Sequence, residues 1–132
     1  MDLKQLKRAQ IVRIRNVTKG TILAEKAKIA SSFWARTKGL LGRDSLPKGE
    51  GLVIVPCSAI HTFFMRFPID VIFVNKKGII VALKNSLKKG RYFSSNFRGY
   101  FVIELPENNL KDGPTNVGDE IRVEILAKNV QF

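Results

Sequence analysis

The chain has 132 residues, 45% of them hydrophobic, with one cysteine, one histidine and a formal net charge of +12. That length supports one sizeable core rather than two, and the apolar runs fall far short of the ~20 residues a membrane-spanning helix needs. A single cysteine excludes a disulfide framework, and no apolar stretch follows the charged start at 1–8 to make a secretory signal, so a cytoplasmic setting is expected.

In chain order, residues 1–9 read as a flexible basic lead, helical or disordered and too short to hold a helix alone, with the globular domain over 10–132. Ile11, Val12 and Ile14 mix with Arg13 and Arg15, Thr18-Lys19-Gly20 supplies a turn, and Thr21 to Ile29 resumes with β-branched and small residues. This predicts a first hairpin. Ser31 and Ser32 offer N-cap hydroxyls to one short helix near residues 32–41, with Phe33, Thr37, Leu40 and Leu41 on one face and Gly42 at its C-terminal cap. Gly39 inside that helix points to close packing on another backbone.

After the polar loop 43–50, Gly51 to Val55 is a short apolar strand stopped by Pro56. Val71 to Val74 and Ile79 to Leu83 flank the turn Asn75-Lys76-Lys77-Gly78 and make the clearest hairpin, expected at the centre of the sheet. Residues 84–99, basic and rich in breakers, read as an exposed loop. Tyr100 to Leu105 and Glu120 to Leu126 complete the strands. The pattern predicts a mainly β (α+β) fold, a single compact domain whose curled antiparallel sheet tends to a small barrel.

The segment from Pro56 to Asp70 gathers Cys57, His61 and Asp70 among aromatics, where desolvation favours shifted pKa values and ligand binding. A helix there would stack Cys57 over His61, whereas an extended chain sets them roughly 13 Å apart, too far for a thiolate–imidazolium pair. The Thr, Ile and Phe content favours extension. Four-ligand structural zinc is excluded by count, since the chain holds one Cys and one His, and no metal or other cofactor is expected. Cys57, His61 and Asp70 remain weak catalytic candidates. His61, Thr62, Met65, Arg66 and Asp70 are the ligand-binding candidates, against the plainer reading of a histidine and an acid that fix a loop and a strand entrance. Phe63, Phe64, Met65 and Phe67 read first as core.

Charge is polarised along the chain. Residues 1–48 hold twelve Lys and Arg against three acids, residues 84–100 hold five basic residues and no acid, and residues 101–132 hold six acids against three bases. A basic half attracts nucleic acid or an acidic protein, and a solvated lysine-rich surface has the same composition. Lys88, Lys89, Arg91, Tyr92 and Arg98 interleave cations with rings in the manner of a single-strand stacking track. Aromatics capping the core while lysines meet solvent would look the same.

Arg36-Thr37-Lys38-Gly39-Leu40-Leu41-Gly42-Arg43, then Cys57, Ile60-His61-Thr62, Met65, Pro68-Ile69-Asp70-Val71 and Phe73, then Val102-Ile103-Glu104-Leu105-Pro106 and Val117-Gly118-Asp119 occur in order. In these motifs the chain resembles the family known as domain of unknown function 192. The resemblance implies a small, mainly β domain with a helix at the Gly-Leu-Leu-Gly-Arg motif, and it implies no reaction. Many members are secreted or membrane-tethered, a point on which this chain departs. It also carries Glu107-Asn108-Asn109 where a glycine commonly follows the Leu-Pro step, and no proline within 85–89. The leading expectation is a non-enzymatic binding module that uses the Cys57 to Asp70 segment and a basic face. The alternatives are a nucleic-acid-binding protein and a small enzyme or metal protein.

Overall fold

The computed structural model describes residues 2–110 and 113–128; the ends of the expected domain at 129–132 and the pair 111–112 lie outside the described residues. Eleven elements follow one another: α1 (Leu3–Arg8), β1 (Ala9–Asn16), β2 (Thr21–Ala30), α2 (Phe33–Lys38), β3 (Glu50–Ile54), β4 (Ala59–His61), β5 (Ile69–Val74), β6 (Ile80–Leu87), β7 (Tyr92–Ser94), β8 (Phe101–Pro106) and β9 (Ile121–Lys128). The fold is mainly β. Seven strands form one sheet in the order β6-β5-β8-β3-β2-β1-β9, and β4 pairs with β7 in a separate two-stranded ribbon.

Three expectations change. The sheet is mixed, because the chain passes from β2 through α2 into β3 and returns parallel to β2, with Lys28 opposite Leu52. The curl is present and not closed into a barrel: among the described residues the β6 and β9 sides meet at the bridge between Ile79 and Glu120, with the Gly118 N–H donating to the Ile80 carbonyl beside it. The hairpin expected at the centre lies at one side, with β6 on the edge and β8 and β3 in the middle. The basic lead, read as helical or disordered, takes the helical option as α1, whose first turn is capped by the Asp2 carboxylate accepting from the Lys4 and Gln5 N–H groups. Six residues cannot sustain a helix alone, and the buried Leu6 in the core and the Ser31 hydroxyl donating to the Lys7 carbonyl hold it.

Strand alternation divides the interior in two. Val53, Val55, Ile72, Val74, Phe101, Ile103 and Leu105 point into the hollow of the curl with Val12, Ile14 and Leu23. Ile54, Val71, Phe73 and Val102 point to the outer face, where Leu40, Leu46, Ile60 and Met65 cover them. α2, the loop after it and the β4–β7 ribbon therefore form a lid over the middle strands.

α2 begins as expected, with the Ser32 hydroxyl accepting from the Ala35 N–H at 3.1 Å. It ends early, at Lys38, because Gly39 takes φ +48° and serves as the cap. The expected apolar face is also incomplete. Leu40 is buried, while Phe33 and Trp34 stand exposed and pack edge to face against each other.

Candidate functional site

The lid does not seal. Between α2 and the segment from Pro56 to Met65 lies a cavity of about 340 Å³, walled on the apolar side by Leu40, Leu41, Ile54, Ile60 and Met65. Its polar residues come from four places: Arg36, Thr37 and Lys38 on α2, Cys57 on the loop after β3, His61 at the end of β4, and Glu104 on β8.

Glu104 is placed by alternation. Ile103 and Leu105 face the curl, so Glu104 faces the lid, flanked by its strand partners Leu52 and Val71. It is 4% exposed, and its Oε2 has no hydrogen-bond partner. Burial among apolar neighbours pushes its carboxyl up to about 7, from an ordinary value near 4.5. Arg36 reaches over from α2 and donates from one terminal nitrogen to the Pro56 carbonyl at 3.3 Å, and its buried Nε is likewise without a partner. No ion pair joins the two residues.

Cys57 lines the same cavity and is not activated. Its N–H donates to the Tyr100 carbonyl at 2.7 Å, and its thiol donates to the Ala59 carbonyl at 3.1 Å. Burial pushes the thiol up to about 11, the Ala59 contact and Arg36 opposing this only in part and Glu104 adding to it. His61 is exposed at the rim and stacks on Phe63, with ring centroids 5.3 Å apart. Residues 59–61 are extended, as the composition indicated. A shallower hollow on the far side of Cys57 shares Arg36, Pro56 and Ala59 and is edged by Phe97 and Tyr100.

The other candidates lie elsewhere. Asp70 does not line the cavity: it is fully buried, and its carboxylate accepts from the Ser86, Asn108 and Leu110 N–H groups at 2.8, 3.3 and 2.9 Å. Thr62 is buried too, its hydroxyl donating to the Lys88 carbonyl and accepting from the Arg91 N–H, which ties the ribbon to the chain leaving β6. Arg66 is exposed and pairs with Asp44. Met65 does line the cavity. Thus Cys57 and His61 share one cavity while Asp70 organises a bulge and a turn; among the described residues no three His, Cys, Asp or Glu groups gather to hold a metal ion.

The basic loop is partly ordered by β7. Lys88, Arg91 and Tyr92 line a groove of about 530 Å³ with Lys84, and Tyr92 is 67% exposed. Lys89 does not line that groove, and Arg98, also outside it, is exposed and donates locally to the Ser95 carbonyl. Of the aromatics read as core, Phe67 is half-buried, whereas Phe63 is exposed and Phe64 stands 91% exposed with φ +66°. Phe97 is equally exposed, also with a left-handed backbone.

Glu104, Arg36 and Lys38 were not among the sequence candidates. The signal for Glu104 was present: a carboxylate inside Val102-Ile103-Glu104-Leu105 interrupts a strand whose other residues are all apolar.

Among known proteins, the chain is 31% identical to a UPF0127 protein of Thermococcus sibiricus over 116 residues, covering 83% of this chain and 73% of that one. It is 30% identical to a UPF0127 protein of Pyrococcus furiosus, covering 80% of this chain and 93% of the relative. Two crystal structures share the fold. One is a Sinorhizobium meliloti protein named a "putative transcription regulator", at TM-score 0.75 and 18% identity, covering 86% of this chain and 92% of that one. The other is a protein of unknown function from Novosphingobium aromaticivorans, at TM-score 0.72 and 16% identity, covering 85% and 83%. The model of domain of unknown function 192, described as Uncharacterized ACR, matches residues 14–123, a span that contains α2, the Pro56 to Asp70 segment and Glu104, and the chain belongs to this family.

Proposed function

We propose that this chain is a binding domain rather than a catalyst, and that the cavity between α2 and the Pro56 to Met65 segment is its recognition site. The observation that carries this reading is the pair of buried polar atoms without partners, Arg36 Nε and Glu104 Oε2, on residues that line one cavity. Buried polar groups are normally satisfied, so two orphans on residues that wall one cavity argue for a ligand that completes them. Catalysis is disfavoured because the Cys57 thiol is hydrogen-bonded to a carbonyl and held far from its thiolate form. A cytoplasmic setting, where one unpaired cysteine stays reduced, suits the same reading.

The test is an amide-shift titration of the purified protein with four probes: hexanoate, hexylammonium, hexanol and inorganic phosphate. At least one is expected to move the amides of Arg36 to Leu41 and Cys57 to His61. A cavity indifferent to all four overturns the proposal, and so does ester hydrolysis or thiol transfer that vanishes in Cys57→Ser or His61→Ala.

A second reading is single-stranded nucleic-acid binding along the groove at Lys84, Lys88, Arg91 and Tyr92. It is favoured by an exposed ring set among cations, none of which is ion-paired among the described residues. Fluorescence anisotropy with a labelled oligonucleotide at about 50 mM salt should show binding that fades steeply as salt is raised and weakens in Arg91→Glu. Absence of binding at low salt rejects it.

A further inference from the structure

We infer that the cavity takes a small organic anion, an apolar body carrying one carboxylate, with the carboxylate seated between Arg36 and Glu104. This rests on the cavity being the recognition site, and it adds the ligand's chemical class.

Arg36 and Lys38 contribute two cations to the lining, and among the described residues Glu104 is the only acid there. Sharing the cavity with Glu104 are Arg36, Thr37 and Lys38 from α2, Cys57 from the loop and His61 from β4, and beside it on the sheet stand apolar Leu52 from β3 and apolar Val71 from β5. Two strands out along the same row lie Lys28 and Lys84, both cationic. No second acid faces it, and the whole chain at +12 adds a field of the same sign. An organic cation entering this cavity meets repulsion, whereas an anion is drawn in.

Hydrogen bonding narrows the class. Arg36 Nε is a donor only, so it needs an acceptor. Glu104 holds its proton up to about pH 7 and in that form is also a donor. One carboxylate, with two acceptor oxygens, satisfies both orphans at once. An alcohol or ether oxygen can accept from two donors but brings no charge to meet the guanidinium, and an ammonium brings no acceptor. Cys57 cannot supply the missing partner, because its S–H is directed to the Ala59 carbonyl. The remaining walls, Leu40, Leu41, Ile54, Ile60 and Met65, are apolar and suit a hydrocarbon body rather than a second charge. A volume of about 340 Å³ stands at the small end of ligand sites, which run from ~300 to ~1,000 Å³.

This arrangement couples binding to a proton. Seating a carboxylate beside Glu104 requires Glu104 to be protonated, so affinity should be greatest near pH 6, where the ligand is still an anion, and fall by roughly tenfold per pH unit above 7. Calorimetry with hexanoate at pH 6, 7 and 8 in two buffers of different ionisation heat is expected to show this fall, with net proton uptake above pH 7. Glu104→Gln keeps a neutral donor in place, so it should bind hexanoate at pH 8 about as well as at pH 6. Arg36→Met should weaken binding tenfold or more, with thermal melting checking that the variant stays folded. Tighter binding of hexylammonium or hexanol than of hexanoate overturns the anion assignment while leaving the cavity as a binding site. Preference for inorganic phosphate, affinity that rises with pH, or complete loss of hexanoate binding in a folded Glu104→Gln protein overturns it equally. If none of the probes binds, the recognition-site reading fails with it.

Discussion

Asp70 and Glu104 are both buried acids on neighbouring strands, yet only Asp70 has its oxygens occupied by N–H groups. Asp70→Ala would strand three backbone donors in the interior and should cost at least ~3 kcal/mol in chemical denaturation, with Asp70→Asn recovering part of it. Glu104 behaves in the opposite sense. Its folded pKa lies above the unfolded value, so the folded state holds a proton that the unfolded chain has released between pH ~4.5 and ~7. Stability from this group is fully present below ~4.5 and is lost as pH rises through 7, by about 3 kcal/mol in all. Denaturation at pH 5 to 8 should therefore show Glu104→Gln gaining on the native protein as pH rises, and parallel curves for the two would contradict this origin. Cys57 supplies a third check. A thiol lifted from 9.0 to about 11 holds roughly a hundredfold less thiolate at neutral pH, and iodoacetamide should modify it about that much more slowly than in the denatured chain. At this scale the sequence pointed to the right neighbourhood through its rare residues. It gave rank to Asp70 over Glu104 because crowding of unusual side chains was visible, whereas which side of a strand faces a cavity was not.

The elements that could be read were those whose stability is local. The β1–β2 hairpin around Thr18-Lys19-Gly20, the β5–β6 hairpin and the Ser32 cap are set by residues within a few positions of one another. Ser32→Ala should accordingly cost about 1 kcal/mol and loosen the cavity wall, measurable as faster amide exchange in α2. The elements that escaped depend on distant partners. β4 and β7 are three residues each, too short for any periodicity to register, and exist because Thr62 clamps the chain at Lys88 and Arg91. The parallel step at β3 left no trace either, since an apolar run such as Leu52 to Val55 serves equally well in either orientation. Gly99 illustrates the same dependence. A methyl group there would sit 3.0 Å from Phe73 Cβ and from Ser95 Oγ, so Gly99→Ala should lower stability by ~1–3 kcal/mol through the ribbon and β5 together.

For the whole molecule, the mainly β class and the curl were legible from several short strands around one core. The open seam was not, because it is a matter of how far two edges approach. β1 is paired on one side with β2 and on the other with β9, and Asn16 carries the tie further by bonding Asp119 and Thr115 across the sequence. Such non-local pairing predicts refolding in milliseconds to seconds rather than microseconds, which stopped-flow fluorescence of Trp34 or far-UV dichroism can time. The pairing of β1 with β9 also has a consequence during synthesis. About 110 residues separate the partners, so on the order of ten seconds of translation passes, at ~5–20 residues per second, with the outer edge of β1 emerged and nothing yet made to cover it. Arg15 on that strand, later matched by Glu124, is then an unmatched charge on an open edge, while Arg13 already has Glu25 of β2 within reach; such a side chain keeps nascent strands from joining one another on a polysome.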